Sequence, residues 1–265
     1  MSLYEDLASV YDALFPQNPA ATDFILGLAG HGHSRHGEVR RVLDLGCATG
    51  SQLLDLAAAG WEVHGLEPSL PMLERARSKA ELADLDADFR EGGMLDAASI
   101  FPSGHFDLVL CLGNTLPHLG SRDELAVFTA DLATLLAPGG LIILQLLNYD
   151  LVLERLARED YFFPPLEAGG VTFHRRYESA GGKQEEKDGD TRRIAFRTGI
   201  KRAAGQSVED LTMLTPFSPG ELAGALETEG FVGLSMTAGW QAEPGAFDAM
   251  RDPYLILSAA RPPRN

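Results

Sequence analysis

Over the first 150 residues, the apolar positions of this chain fall into two alternating rhythms. Near-continuous apolar runs near 41–45, 62–66, 86–90, 106–111 and 140–146 read as strands buried on both faces. Between them, near 51–59, 70–80 and 122–136, apolar residues recur at helical spacing. Strand and helix in turn predict a doubly wound α/β fold with a parallel sheet. Residues 4–30 read as one or two helices, and Pro138, Gly139 and Gly140 read as the stop of the helix before the fifth strand. After Asp150 the rhythm changes. A helix and the segment "YFFPPLEAGG" lead into β-like runs at about 171–178, 191–201 and 207–214, with "AGGKQEEKDGD" as a polar hairpin tip. Helical spacing returns with "SPGELAGALETEGF" from near Ser218, and strands near 231–237 and 253–260 are expected to close the sheet as a hairpin. The division expected is a main domain of residues 1–150 and 216–265, with a β-rich insertion at 151–215 over the carboxyl edge of the sheet.

The first strand ends unusually. "VLDLGCATG" runs from Val42 to Gly50, placing Asp44 in the strand and a glycine turn before the helix "SQLLDLAAAG". Strand, glycine turn and helix make the nucleotide-site layout of doubly wound folds. A dinucleotide fingerprint starting at Gly46 would need glycine at 48 and 51, where Ala48 and Ser51 stand, and no phosphate-loop lysine follows. The ligand expected is adenosine-like without phosphates. The second strand ends on Glu67, 23 positions after Asp44, where an acid can accept ribose hydroxyls. Pro68 and Ser69 open the next helix, and Met94 and Asp96 follow the third strand at the same edge.

Four stretches in this order, "VLDLGCATG", "GLEPS", "FDLVLCLGNTLPHL" and "LLAPGGLIILQLLNYD", resemble the motifs of class I S-adenosylmethionine-dependent methyltransferases. "YDALF", "LGNTLPHL" and "NYD" are similar to the glycine N-methyltransferase-like group of small-molecule enzymes. The resemblance implies a Rossmann-like seven-stranded sheet with the insertion as a lid after the fifth strand, and S-adenosylmethionine as cofactor. It implies that Gly46, Ala48 and Gly50 form the turn against the methionine part, that Asp44 orients this turn and reaches toward the cofactor's amino group, and that Glu67, beside Pro68, takes the ribose. Met94 and Asp96 flank the adenine. Leu112 and Asn114 lie beside the methyl-transfer centre, and Leu147 and Tyr149 line the acceptor site. Tyr11 reads either as a tyrosine closing over the ligands or as a core residue, and His118 either as a general base or as a structural histidine. One departure stands out: the group's carboxylate-binding arginine just before "NYD" is Leu147 here, which disfavours glycine as substrate.

Composition narrows the reading. The chain has 265 residues, 45% of them hydrophobic, with 38 acids against 22 bases for a net charge of −16. Such a surface repels nucleic-acid backbones and anionic membranes, so a small-molecule acceptor is expected. The N-terminus lacks a signal-peptide layout, no run approaches about 18 apolar residues, and Cys47 and Cys111 read as buried thiols, which together point to the cytoplasm. A homo-oligomer is left open. His31, His33 and His36 in a glycine-rich loop read as solvated, and no metal is expected.

The insertion holds nine of the 22 bases between 171 and 202. In "RRIAFRTGIK", Ile194, Phe196, Thr198 and Ile200 share one face, and Arg193, Arg197 and Lys201 the other. This is either a half-buried sheet with a solvated basic side or a wall in which Arg175, Arg193 or Arg197 grips an anionic substrate. The function expected is methyl transfer to nitrogen or oxygen of a small molecule. The alternatives are a protein or nucleic-acid methyltransferase and a non-catalytic cofactor-binding paralogue.

Overall fold

The computed structural model describes residues 7–30, 40–178, 193–202, 205–240 and 246–263. The histidines at 31, 33 and 36 and the hairpin tip at 179–192 lie outside the described residues.

Two helices, α1 (Tyr11–Leu14) and α2 (Pro19–Gly30), precede the sheet. The chain then alternates through β1 (Arg41–Leu45), α3 (Ser51–Ala58), β2 (Glu62–Glu67), α4 (Leu70–Leu82) and β3 (Asp88–Glu91). A 3₁₀ turn (Met94–Asp96) and α5 (Ala97–Ile100) lead to β4 (Phe106–Cys111). A second 3₁₀ turn (Leu116–His118), α6 (Arg122–Leu135) and β5 (Leu136–Leu147) follow. After the insertion come α8 (Pro219–Thr228), β11 (Val232–Thr237) and β12 (Tyr254–Ala260). The seven strands are ordered β11-β12-β5-β4-β1-β2-β3. β1 to β5 run parallel, and β12 and β11 close the edge antiparallel, the hairpin anticipated from the sequence.

The strands read as unbroken apolar runs because both faces of the sheet are covered. Leu43, Leu45, Val109, Cys111, Ile142 and Leu144 pack into one core cluster, while Val42, Leu108, Leu110, Ile143 and Ile256 pack into another. Successive residues of a strand point to opposite faces. Cys47 and Cys111 are buried free thiols.

One expectation is corrected. α6 stops at Leu135, ahead of the Pro138 signal, and the chain passes directly into β5. Leu136 already pairs with Phe106, and the β4–β5 ladder shifts register between Phe106 and Leu108. The helix thus stops as Pro138 and its glycines signal. The difference lies in the strand, which begins at Leu136 instead of near 140 and carries Pro138 at an irregularity of the ladder, since proline has no N–H to give.

The insertion consists of α7 (Tyr149–Leu156), β6 (Tyr161–Phe162), β7 (Leu166–Ala168), β8 (Val171–Glu178), β9 (Ile194–Arg202) and β10 (Ser207–Leu214). These strands form an antiparallel sheet ordered β10-β9-β8-β6, with β7 also paired to β8. Val171, Phe173 and Ile200 bury against Leu7, Ala8 and Leu14 and against Met72 of α4. Tyr177 and Ile194 join the larger core beside Tyr149. The second sheet is therefore docked on the main domain by apolar contacts from both its ends.

Candidate active site

The carboxyl ends of β1, β2 and β4 enclose a cleft of about 470 Å³. Its floor is the turn after β1. Gly46 has φ +82°, and a Cβ there would stand 2.5 Å from Thr115 Cγ2, so only glycine fits. Ala48 also adopts a left-handed conformation, φ +48°, which a side chain resists by about 1 kcal/mol. Glu67 holds it there: one carboxylate oxygen accepts from Ala48 N at 3.1 Å and the other from Ser69 N at 2.9 Å. The acid at the tip of β2 thus ties together the turn after β1 and the start of α4. Backbone strain kept in place by neighbouring contacts is characteristic of binding sites.

Two carboxylates meet at this edge without a cation. Asp44 is buried, and its Oδ1 has no hydrogen-bond partner among the described residues. Burial, reinforced by the Glu67 charge, pushes its pKa up to about 7. Burial also raises Glu67, although the amides of Ser69 and Ala48 pull it back part of the way. A ligand bringing hydroxyl donors and positive charge would satisfy both acids.

The turn after β4 forms the opposite wall. Asn114 has φ +65°, and its amide is the hub of a buried polar cluster. Nδ2 donates to Tyr149 Oη at 3.0 Å and Tyr177 Oη at 3.3 Å, and Oδ1 accepts from Leu147 N at 3.1 Å. The two tyrosine hydroxyls lie 3.2 Å apart. Burial drives both phenols upward, Tyr177 to about 12, so they remain protonated donors. β4, β5, α7 and β8 are joined through these three side chains. His118 also borders the cleft with an exposed side chain, and partial desolvation at the cleft wall lowers its pKa.

Among the residues singled out in the sequence, Tyr11, Gly46, Ala48, Glu67, Pro68, Met94, Asn114 and His118 line the cleft together. Others lie elsewhere. Gly50 faces Phe89, 2.7 Å from where a Cβ would stand, and serves packing of α3 on the sheet. The Asp96 carboxylate accepts from Gly93 N at 2.8 Å and caps its own 3₁₀ turn. Leu112 packs into the apolar core, and Leu147 and Tyr149 are buried. The Arg175 guanidinium sits among Phe15, Phe163 and Phe173 at 5.1–5.5 Å from their ring centres. Arg197 pairs with Glu178 at 2.5 Å, and Arg193 donates to Met213 O at 2.8 Å. Neither Arg193, Arg197 nor Arg175 lines the cleft.

Comparison with known proteins gives this geometry its relatives. The methyltransferase domain family matches residues 42–140, from β1 into β5. Rat glycine N-methyltransferase is 33% identical over 129 residues, covering 45% of this chain and 44% of that enzyme. The chain carries a class I S-adenosylmethionine-dependent methyltransferase domain. Its match spans about half the length of the curated relatives at the top of the comparison, 44% for the rat enzyme and 47% for a glycine/sarcosine N-methyltransferase of Aphanothece halophytica. A longer match joins it to the dTDP-4-amino-2,3,4,6-tetradeoxy-D-glucose N,N-dimethyltransferase of Saccharopolyspora spinosa, 26% identical with 85% of each chain covered. The structure of the CcbJ methyltransferase from Streptomyces caelestis superposes with a TM-score of 0.75 at 25% identity, covering 98% of both chains.

The cofactor of such a methyltransferase domain is S-adenosylmethionine, and the residues present suit it. Glu67 lines the cleft beside the apolar Met72, Met94 and Leu95, while the unpartnered oxygen of Asp44 is buried at the end of β1 and does not line the cleft. Ser69, Met72, Thr115, Leu119 and Glu124, to which the sequence assigned no binding role, also line the cleft. Ser69, Thr115 and Leu119 lie inside the quoted motifs and carried that hint; Met72 and Glu124 sit in helices and carried none.

Proposed function

We propose that this protein transfers a methyl group from S-adenosylmethionine to a nitrogen or oxygen of a small molecule, with an amine the favoured acceptor. The observation that carries the reading is the charge of the cleft wall. Among the described residues it is lined by Glu67, Glu124 and neutral His118, with no arginine or lysine. Such a wall accommodates a neutral or amine-bearing acceptor and repels an anionic one. Leu147 in place of the glycine-binding arginine points the same way, and the net charge of −16 supports a small molecule over a nucleic acid. Two of the relatives above are named for methylating glycine and an amino sugar, both amines.

When bound, S-adenosylmethionine supplies an electrophilic methyl carbon on a sulfonium leaving group. The chain's own residues do the rest. Glu67 accepts the ribose hydroxyls, and Asp44 beside it adds negative charge toward a cationic group of the cofactor. Asn114, fixed by Tyr149, Tyr177 and Leu147 N, holds the β4 turn in the left-handed conformation that shapes the acceptor wall. His118, whose pKa is lowered by partial desolvation at the cleft wall, takes the proton an amine must lose. Tyr11, carried on α1, covers the cleft and excludes water.

The test is turnover of purified protein with methyl-labelled S-adenosylmethionine against separate pools of amines, phenols and carboxylic acids. Label transfer to the amine pool is expected. Transfer confined to carboxylic acids, or none to any pool despite cofactor binding, overturns the reading.

A further inference from the structure

Far from the cleft, at the amino ends of the parallel strands, two histidines and a glutamate converge. Glu62 and His64 lie two apart on β2 and so share one face of the sheet. His105, immediately before β4, comes from across β1 to the same place. His64 Nε2 is 3.1 Å from Glu62 Oε1, and His105 Nε2 is 4.0 Å from the same oxygen. One ligand atom from each of the three residues lies within 4.8 Å of the others.

What surrounds the trio holds it in that arrangement. Asp88 Oδ2 lies 3.2 Å from His64 Nδ1 and can accept from a proton-bearing Nδ1, which would leave Nε2, facing Glu62, to an ion. A carboxylate behind the far nitrogen is how metal-bound histidines are oriented and made more basic. Arg41 Nε donates to Glu62 Oε2 at 3.1 Å, which leaves Oε1 for the imidazoles. Arg90 in turn holds Asp88 at 2.9 Å, and Asp107 accepts from Arg41 N at 2.9 Å. Glu62, Asp88 and Asp107 therefore outnumber Arg41 and Arg90 around the site. Phe106 closes its inner side, with ring centres 5.3 Å from His64 and 5.0 Å from His105.

We propose that Glu62, His64 and His105 bind a divalent transition-metal ion of the zinc type. Two imidazoles and one carboxylate are a standard zinc donor set, with the fourth tetrahedral position left to water. Zn–N and Zn–O bonds of about 2.0–2.2 Å place ligand atoms roughly 3.3–3.5 Å apart. The 3.1 Å pair is already near that spacing, and His105, on a partly exposed loop at the strand start, has only to turn its ring inward. Calcium and magnesium prefer all-oxygen sites and do not suit two imidazoles. The trio went unnoticed in the sequence because His105 is far along the chain from Glu62 and His64; only the strand order brings them together.

The test uses the full chain stripped with a chelator, then titrated with Zn²⁺ or Co²⁺ alone. One ion per chain is expected, with the intense visible bands of tetrahedral cobalt and a raised Tm in zinc. His105→Gln and Glu62→Gln should each remove the cobalt bands and weaken zinc binding by at least tenfold. Asp88→Asn, which touches no ion directly, should weaken it about 10–100-fold. Should Glu62→Gln unfold, as seen by circular dichroism, His105→Gln decides alone. Absence of binding at micromolar zinc overturns the proposal. So does stoichiometric binding that survives His105→Gln, which would assign the ion to other ligands such as the 31–36 histidines.

Discussion

Asp12 and Lys79 meet at 3.0 Å, 67 residues apart in the chain, and their contact pins the first helix to the turn that shapes the cleft. The Asp12 carboxylate also accepts from Ser51 Oγ at 3.0 Å and from Thr49 Oγ1, and Lys79 Nζ reaches Ser51 Oγ at 2.6 Å. Thr49 and Ser51 flank Gly50 at the start of α3, while Tyr11, the neighbour of Asp12, lines the cleft. Burial alone would raise the Asp12 pKa, but the Thr49 and Lys79 hydrogen bonds outweigh it and hold the carboxyl below its usual range.

Asp12→Ala should therefore loosen Tyr11 and weaken cofactor affinity without touching the cofactor. Partial exposure screens the pair, so about 1–2 kcal/mol is expected from the lost charge-assisted bonds. Because the folded pKa is depressed, this stabilisation is present above the ordinary carboxylate pKa and is lost as pH falls through the lower folded value. Calorimetry and thermal unfolding of Asp12→Ala check both parts; unchanged affinity would detach Tyr11 from the binding event.

Asp44 predicts an opposite pH dependence. Its folded pKa of about 7 exceeds the model-peptide value of 3.8, so the folded protein binds the extra proton between those limits. Stability without ligand should fall as pH rises from about 4 to about 7 and then level off. A cationic ligand favours the charged carboxylate, so binding near pH 6 should release a proton. The observed binding enthalpy should then differ between buffers of unlike ionisation enthalpy, and Asp44→Asn should abolish the difference. Identical enthalpies for the native protein would remove Asp44 from the site. Glu67→Ala should weaken binding by about 1–3 kcal/mol through lost hydroxyl partners.

How much of this could be read from the chain depends on the distance over which each feature is determined. β1, β2 and β4 were legible because Val42, Leu66 and Val109 are buried by a sheet covered on both faces, which leaves a continuous apolar signature. Gly46 and Glu67 were legible because a turn and a strand-end acid stand at fixed spacing. Asp96 and Leu112 were expected in the cleft by position alone, yet a local capping bond takes one and core packing the other. The Asn114–Tyr149–Tyr177 cluster left no mark, since it requires the insertion to dock with Tyr177 inward, a tertiary event. Pro138 marked the end of α6 but hid the early start of β5, because a proline after a helical run also suits an irregular strand.

His118 separates a chemical role from a structural one. If its neutral imidazole takes the acceptor's proton, His118→Asn should lower kcat by roughly 10²–10⁴-fold while cofactor affinity stays near native. Its lowered pKa means that kcat/KM should fall only as pH drops below the ordinary histidine value of 6.5. A loss of less than threefold, with an unchanged pH profile, would make His118 a packing residue.

The inserted sheet should respond to ligands. It meets the cleft through Met72 and through Tyr177 on Asn114, so ordering the cleft should order β8 and β9. Amide exchange in residues 171–178 and 194–202 is expected to slow when S-adenosylhomocysteine and an acceptor are both present. Equal protection with and without them would make the second sheet a fixed structural element.

Arg175 decides the acceptor's charge. On the inner side of β8 it lies in a box of Phe15, Phe163 and Phe173, and no carboxylate pairs with it among the described residues. Its Nε is buried without a partner, and burial lowers its pKa, both signs of a cation held by ring faces. Arg193 and Arg197 are already engaged by Met213 O and Glu178. If the acceptor is a neutral molecule or an amine, as the cleft wall favours, Arg175→Ala should change KM for the acceptor by less than twofold. Its effect should appear as stability instead, through the emptied aromatic box, with about 1–2 kcal/mol lost in thermal or urea unfolding. An acidic acceptor would give the reverse pattern. Removing its charge-assisted contact would raise KM about 10–100-fold, and Arg175→Lys would restore part of it. Steady-state kinetics of Arg175→Ala, Arg175→Lys and Arg197→Ala on the acceptor found in the labelling screen distinguish the two. A tenfold rise in KM for Arg175→Ala alone would show that the anion-binding role absent at Leu147 has moved to the inserted sheet.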